Sequence, residues 1–127
     1  MNPTVSASAE LAETIGQLAL SKKAENILIL DVRKTTAITD FFVICSADTD
    51  IQVKAIADAV RRGTTHKPWH VEGYERLTWV LVDYVDVVLH VFQTATRDFY
   101  QLERLWADVP IREITDDPET VFNQPAE

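Results

Sequence analysis

The side chains best suited to bind or react in this 127-residue chain lie close together, between residues 79 and 90. Trp79, Asp83, Asp86 and His90 follow one another in a stretch that otherwise consists of valine, leucine and tyrosine. Tryptophan often anchors protein interfaces, carboxylates attract basic groups, and histidine can serve as a base or a ligand. These residue types predict a binding surface or a small catalytic centre, and the elements that position them decide between the two.

Residues 77–92 predict two antiparallel strands joined by a tight turn at residues 84–85. Because side chains alternate across a strand, the turn defines two faces, and this register places Trp79 opposite His90. One face carries only aliphatic side chains and is predicted to be core: Val80, Val82, Val87, Leu89 and Val91. The other face is mixed, as a surface that binds a partner would be: Trp79, Leu81, Asp83, Asp86, Val88 and His90.

The residues of the mixed face also have structural interpretations. Trp79 is either an interface anchor or a core residue beneath a helix, and the acids on its face are difficult to bury, which favours an open surface. Asp83 and Asp86 either pair with basic groups of a partner or remain solvated. His90 could be a base or a ligand, but no cysteine, histidine or glutamate converges on it in the sequence pattern. A packed histidine at the edge of a binding face is therefore predicted.

The overall composition favours a protein partner over a nucleic acid. The net charge is −8, and basic residues are scattered except at Lys22-Lys23 and Arg61-Arg62, whereas nucleic-acid binding needs clustered positive charge. We expect no DNA binding, little direct RNA contact and a basic protein partner. The single Cys45 excludes a disulfide framework and a cysteine-rich zinc site, and it is predicted to be buried. No apolar run reaches about 18 residues and no basic leader is present, so a cytoplasmic protein without a membrane span is expected.

The predicted elements around the hairpin alternate between helix and strand. Strands at residues 26–32 and 40–47 are separated by a linker too short for a crossover helix, so we expect them to pair antiparallel. Thr49 and Gln52 form a capping box that starts a helix ending at residues 61–63. The other elements are a first helix at 8–22, an edge strand at 69–72, and a third helix capped by Thr94 or Thr96 with the apolar stripe Phe99, Leu102 and Trp106. The order α-β-β-α-β-β-β-α predicts an α/β domain with a mixed β-sheet and three flanking helices.

The two ends of the chain differ in composition from its middle. Residues 1–7 are small and polar and are predicted to be disordered. Residues 107–127 hold six acids against one base, Arg112. We therefore expect one domain over residues 8–110 and a mobile acidic tail over residues 111–127.

An enzymatic alternative rests on Asp48 and Asp50, which form an Asp-x-Asp pattern. Metal-dependent nucleotidyl transfer needs carboxylates that converge on Mg²⁺ and a glycine-rich phosphate loop. The glycines are Gly16, Gly63 and Gly73, which form no such loop, and acids at a helix start are favoured by the helix dipole anyway. The sequence therefore favours a protein that is not an enzyme and binds no cofactor or metal.

Several segments, in order and with suitable spacing, resemble the ribosomal silencing factor (Iojap-like) family over roughly residues 8–110. Near the start these are Lys23-Ala24-Glu25-Asn26-Ile27, Leu30-Asp31-Val32, Ile38-Thr39-Asp40-Phe41-Phe42-Val43-Ile44 and Val53-Lys54-Ala55-Ile56-Ala57. Later they are Glu72-Gly73, Trp79-Val80-Leu81-Val82-Asp83-Tyr84, Asp86-Val87-Val88-Leu89-His90-Val91-Phe92 and Arg97-Asp98-Phe99-Tyr100-Gln101-Leu102-Glu103-Arg104-Leu105-Trp106.

The resemblance implies a fold similar to nucleotidyltransferases, without their activity. It also implies a translational repressor that binds the large ribosomal subunit through its ribosomal protein number fourteen. Binding there would block association with the small subunit and reduce translation under nutrient limitation. Carried over motif by motif, the partner-binding residues would be Trp79, Leu81, Asp83, Tyr84, Asp86 and His90, with Glu72 and Tyr100 as further candidates. A homodimer formed off the ribosome through the same face is an alternative.

The sequence departs from the family pattern at two turns. Val85 stands where the family usually has glycine in its Asp-Tyr-Gly-Asp turn, and valine is costly at a positive φ. The family's Gly-Thr-Ser before the second helix is replaced by Ala47-Asp48-Thr49, which keeps a capping residue but removes the glycine.

Overall fold

A six-stranded mixed sheet forms the centre of the protein, as seen in a computed structural model that describes residues 6–116. The strands are β1 (Glu25–Asp31), β2 (Phe41–Ala47), β3 (His70–Glu72), β4 (Trp79–Asp83), β5 (Val87–Gln93) and β6 (Ile111–Ile114). The helices are α1 (Ala7–Ser21), α2 (Asp50–Gly63) and α3 (Thr94–Tyr100), followed by a 3₁₀ helix (Leu102–Trp106). The predicted α/β class, mixed sheet and three helices are confirmed.

The strands lie in the order β3-β4-β5-β2-β1-β6, and β2–β5 is the single parallel pair among the described strands. The antiparallel pairing of β1 with β2 is confirmed. The path between β2 and β5 includes α2, which supplies the crossover that a parallel pair requires. The predicted N-cap of α2 is confirmed, since the Thr49 hydroxyl accepts the backbone N–H of Gln52 at 3.1 Å. The reciprocal bond of a capping box is not formed among the described residues, because the Gln52 side-chain amide donates to the Lys23 carbonyl at 3.3 Å instead.

Helices α1 and α2 pack on one face of the sheet, which we call the helix-covered face. The aliphatic side chains predicted to form the core of the hairpin all lie there and are fully buried: Val80, Val82, Val87, Leu89 and Val91. On the opposite face, called the second face, α3 and the 3₁₀ helix lie over a smaller cluster built around Leu30, Ile44 and Phe92. This short cover leaves the β3–β4 side of the second face accessible.

The hairpin turn lies one residue further along the chain than predicted. Trp79 pairs with Phe92, and Leu81, not Trp79, lies opposite His90. The backbone N–H of Tyr84 donates to the carbonyl of Val87, which closes the loop around Val85 and Asp86. The predicted register was therefore wrong. Trp79 pairs two residues beyond its predicted partner, and because side chains alternate with a period of two, every strand residue keeps its predicted face.

The third helix and the tail required correction. Gln93, not a threonine, is the N-cap of α3, and the left-handed Gln101 (φ 50°) ends the helix after seven residues. Phe99 therefore does not continue the apolar stripe and is 80% exposed, whereas Leu102 and Trp106 pack against the cluster of the second face. Residues 111–114 were assigned to the tail but form β6, because their backbone pairs with β1.

The predicted disordered N-terminus is only partly described. Ser6 is the N-cap of α1 and accepts the backbone N–H of Ala9, so the ordered chain begins before residue 8. Residues 1–5 and the acidic residues 117–127 lie outside the described part of the chain. Within residues 6–116, no helix has the length and apolar character needed to cross a bilayer.

Candidate functional site

Three neighbouring strands bring five of the predicted site residues onto the second face. Register places Glu72 beside Leu81 and Leu81 beside His90, so these three side chains form one row across β3, β4 and β5. Trp79 and Asp83 lie two residues to either side of Leu81 along β4 and therefore share its face. We call the set Glu72, Trp79, Leu81, Asp83 and His90, with Tyr100 above it, the β3–β5 surface.

Trp79 lies on the side of the β3–β5 surface that is next to Tyr100, and it is half-buried. Its ring centroid is 4.6 Å from that of Phe92 and 5.1 Å from that of Tyr100. Its indole N–H donates to Nδ1 of His90 at 3.0 Å. Tyr100, the last residue of α3, partly covers Trp79 and is itself 55% exposed. Trp79 is therefore an aromatic side chain that packs against Phe92 and Tyr100 and remains partly exposed.

Gly73 helps to place Trp79, because the backbones of these two residues lie very close together. The glycine has a φ of 96°, and a Cβ at this position would lie 2.1 Å from the Trp79 carbonyl oxygen. A residue with a side chain would therefore clash with the start of β4. The Glu72-Gly73 pair thus fixes how β3 leads back into the strand that carries Trp79.

His90 is buried, with 6% of its surface exposed. Desolvation lowers the pKa of its imidazole to about 4, so the ring is neutral at pH 7. Its Nδ1 accepts the Trp79 N–H, and its Nε2 is buried without a hydrogen-bond partner among the described residues. These surroundings make His90 a packed neutral histidine and a poor choice for a general base.

Two predicted site residues lie elsewhere. Tyr84 has the parity of Val82, so it projects to the helix-covered face, where it is 8% exposed and its hydroxyl is 2.7 Å from that of Thr64. Asp86 lies in the turn, where its backbone carbonyl accepts the N–H groups of Asp40 and Phe41. The resemblance implied that Tyr84 contacts the partner together with Trp79, but Tyr84 lies on the opposite face of the sheet. Asp86 was predicted to lie on the mixed face of the second strand, but it belongs to the turn, because the turn is shifted by one residue.

The rim of the β3–β5 surface is acidic. Glu72 is exposed and its carboxylate is 2.7 Å from the imidazole of His70, which lies beside Asp83 across the strands. Asp83 accepts the backbone N–H of Val85 at 2.7 Å through one carboxylate oxygen. The second oxygen of Asp83 and the exposed carboxylate of Glu72 provide negative charge beside the apolar Leu81, on the face that also carries Trp79.

Sequence reasoning missed the exposed apolar side chains that extend this surface along α3 and the 3₁₀ helix. Phe99 is 80% exposed and packs edge-on against Tyr100 with ring centroids 5.0 Å apart, and Leu105 is 77% exposed. Clustered exposed apolar groups typically mark a site of interaction. No signal in the sequence indicated this exposure, because Phe99, Leu102, Leu105 and Trp106 would share one apolar stripe on an uninterrupted helix. The left-handed Gln101 interrupts that helix and separates Phe99 from the other three.

Arg97 was also missed, and it attaches α3 to the sheet. Its guanidinium is buried and donates to the Asn26 carbonyl at 2.8 Å and to the Ser46 hydroxyl at 3.0 Å. Its Nε donates to Glu103 at 3.2 Å. Asn26 has a φ of 51° within an irregular part of β1, which turns its carbonyl toward the arginine. Nothing in the sequence indicates a contact between residues 71 positions apart.

The residues of the enzymatic alternative have structural roles of their own. Asp48 accepts the hydroxyl hydrogen bond of Thr94 at 2.8 Å, which joins the starts of α2 and α3. Asp50 is exposed at the first position of α2, where an acid complements the helix dipole. In the part of the chain that the structure describes, no three histidine, cysteine or acidic side chains converge in a way that could hold a metal ion. Burial raises the pKa of the Cys45 thiol to about 12, so it is not an activated nucleophile.

Comparison with known proteins gives a consistent result. The family described as "Ribosomal silencing factor during starvation" matches residues 5–127. Proteins named ribosomal silencing factor RsfS from Halalkalibacterium halodurans and Bacillus subtilis are each 41% identical over 96 residues, which cover 73% of this chain and 82% and 81% of theirs. A crystal structure of a Chromobacterium violaceum protein superposes with a TM-score of 0.77 at 28% identity and covers 96% of this chain and all of that one.

The family match spans nearly the whole chain, and the relatives at 41% identity carry a name that describes a regulatory role, not a catalytic one. The described fold agrees with the solved structure over the same length. This chain belongs to the ribosomal silencing factor family.

Proposed function

We propose that this protein represses translation by binding ribosomal protein number fourteen of the large subunit and so preventing the small subunit from joining. The observation that carries the proposal is Trp79, which is half-buried, packs against Phe92 and shares one face of the sheet with Glu72 and Asp83. Membership in a family of ribosomal silencing factors supports a ribosomal target. The action would take place in the cytoplasm and would reduce translation when nutrients are limiting.

The chemistry of the β3–β5 surface suits a basic protein with an apolar patch. Trp79, Leu81 and the exposed rings of Phe99 and Tyr100 provide apolar contact area. Glu72 and Asp83 at the rim would attract lysine and arginine, which mainly increases the rate of encounter and fixes register. The net charge of −8 strengthens the same attraction at longer range and disfavours a direct grip on RNA phosphates.

Repression by this mechanism requires no chemical step. An interface of about 800 Å² on each partner is typical of stable protein complexes. Placed on the subunit-joining face of the large subunit, a 127-residue protein bound through such an interface would exclude the small subunit sterically. The proposal therefore gives the protein no catalytic residue, cofactor or metal.

The decisive experiment compares Trp79→Ala with Trp69→Ala in sedimentation through sucrose gradients. Trp69 is a matched control, because it is 75% exposed and precedes β3, outside the proposed surface. We expect Trp79→Ala to remain folded by circular dichroism but to bind large subunits at least 30-fold more weakly, as about 2 kcal/mol at an interface anchor implies. Trp69→Ala should co-sediment like the wild type and still block subunit joining.

Three results would count against the proposal. A folded Trp79→Ala protein that binds large subunits normally would remove the β3–β5 surface from the interface. Wild-type protein that leaves the joining of purified subunits unchanged would contradict occlusion. Binding to large subunits but not to purified ribosomal protein number fourteen would assign a different partner.

A second copy of the chain is the alternative occupant of this surface when the protein is off the ribosome. The exposed Phe99 and Leu105 would be protected in a two-fold dimer. Mass measurement in solution over a range of concentrations, with Phe99→Ser for comparison, tests this. A monomer at all concentrations would dismiss the dimer without affecting the ribosomal proposal.

A further inference from the structure

The hydrogen bond between Trp79 and His90 determines which nitrogen of His90 carries the proton. The indole N–H of Trp79 can only donate, and it lies 3.0 Å from Nδ1 of His90. Nδ1 must therefore be the unprotonated acceptor, and the proton of the neutral ring resides on Nε2. A doubly protonated ring would set two N–H groups against each other and break the contact.

The remaining surroundings of His90 are apolar. Its ring lies 5.4 Å from that of Phe42 and 6.2 Å from that of Phe92, and 6% of the residue is exposed. Among residues 6–116 the bond from Trp79 is the one hydrogen bond of the imidazole, and the Nε2–H has no acceptor. A buried donor without a partner disfavours folding, so an aliphatic residue would suit this site better if packing were its only task.

We propose that His90 is a positioning residue for the ribosome-binding surface: by accepting the Trp79 N–H it holds the indole in one orientation on the open part of the second face. Fixing the anchor before docking reduces the entropy lost on binding. This inference rests on the proposed function, because it assigns His90 a task only if Trp79 contacts the partner.

The same bond determines what the partner encounters. The single polar group of Trp79 is already satisfied inside the protein, so the indole presents only apolar ring surface outward. The neutral imidazole adds no positive charge beneath it. The partner that fits is one with an apolar contact at the centre and basic groups placed to reach Glu72 and Asp83, with no acceptor required for the tryptophan.

Two substitutions distinguish the role of His90 as a hydrogen-bond acceptor from its role in filling space. In His90→Asn the side-chain oxygen occupies about the place of Nδ1 and can still accept the indole N–H. In His90→Leu the site is filled but the acceptor is lost. The ¹H–¹⁵N correlation of the indole groups, with Trp79 assigned by its absence in Trp79→Phe, reports the hydrogen bond directly.

We expect the Trp79 indole resonance to keep its downfield position in His90→Asn and to shift upfield in His90→Leu. Binding to large subunits should stay within about twofold of the wild type for His90→Asn and weaken about tenfold for His90→Leu. Normal binding by His90→Leu with a shifted indole resonance would overturn the inference. The inference would also be overturned if both variants bound large subunits equally weakly while the Trp79 indole resonance kept its wild-type position.

A double-mutant cycle remains informative even if one single variant is unstable. If His90 acts through the Trp79 N–H, then His90→Leu should weaken binding no further in a Trp79→Phe background. Additive losses would show that His90 affects binding by another route. The two proposals fail separately, since normal binding by Trp79→Ala removes the interface itself, whereas weak binding by Trp79→Ala with normal binding by His90→Leu removes only the positioning role.

Discussion

Strand β5 places its side chains in two different environments. Toward α1 and α2 it projects Val87, Leu89 and Val91, all fully buried among aliphatic groups. Toward the second face it projects His90 and Phe92, which are buried by Phe42, Trp79 and a short irregular helix. Val87, Leu89 and Val91 carry no polar side-chain atom, whereas the second face keeps an imidazole N–H without a hydrogen-bond partner among the described residues.

Under the proposed function, this difference assigns stability to one face of the sheet and recognition to the other. Helices α1 and α2 cover one face, so the packing there serves stability alone and contributes most of the hydrophobic free energy of folding. The second face is covered only in part, and the cover ends where Trp79, Leu81 and the acids lie. A face left incomplete in this way is suited to be completed by a partner, at the expense of some stability in the free protein.

The largest expected effect tests this separation with two leucines on opposite faces. Leu89→Ala removes a fully buried side chain, and we expect it to lower the free energy of unfolding by about 4 kcal/mol. Leu81→Ala, on the half-covered face, should lower it by about 1 kcal/mol and yet weaken binding to large subunits more. Urea denaturation and co-sedimentation measure the two properties. Equal stability losses would show that the two faces are packed alike.

The next effect concerns the pH dependence of stability that His90 introduces. Its pKa is lowered by desolvation to about 4 in the folded protein from the ordinary 6.5, so between these values the unfolded chain binds more protons. The contribution of His90 is therefore fully present above pH 6.5 and is lost as the pH falls toward 4, by about 3 kcal/mol. His90→Leu should show a correspondingly smaller loss over this range in urea titrations. Parallel curves for the two proteins would contradict the lowered pKa.

The sequence allowed the helix-covered face to be predicted well because it depends on parity and aliphatic content, which survive an error in register. Val80, Val82 and Leu89 were assigned correctly although the turn was misplaced by one residue. The N-cap at Thr49 was predictable for a similar reason, since it depends on residues three positions apart.

The second face was less predictable because long-range contacts decide it. The buried guanidinium of Arg97 binds a carbonyl 71 residues earlier, and no local pattern reveals such a pairing. The left-handed Gln101 ends α3 early and leaves Phe99 exposed, although glutamine carries no strong signal for a helix end. The β6 strand lies in a stretch whose acidic composition suggested a tail, and its pairing with β1 outweighs that composition.

The smallest expected effect concerns the strain in the turn that joins β4 to β5. Val85 has a φ of 76°, and the N–H of Asp86 donates to the Tyr84 carbonyl at 2.9 Å, which together form a γ-turn. A β-branched residue is strained at this φ, so Val85→Gly should raise the free energy of unfolding by about 1 kcal/mol despite the added chain entropy. Asp86→Gly is the matched control, because Asp86 does not adopt a positive φ and its replacement should lower stability. Val85 is not part of the β3–β5 surface, so neither variant should change binding to large subunits by more than about twofold. A loss of binding in Val85→Gly would instead place the turn within the interface.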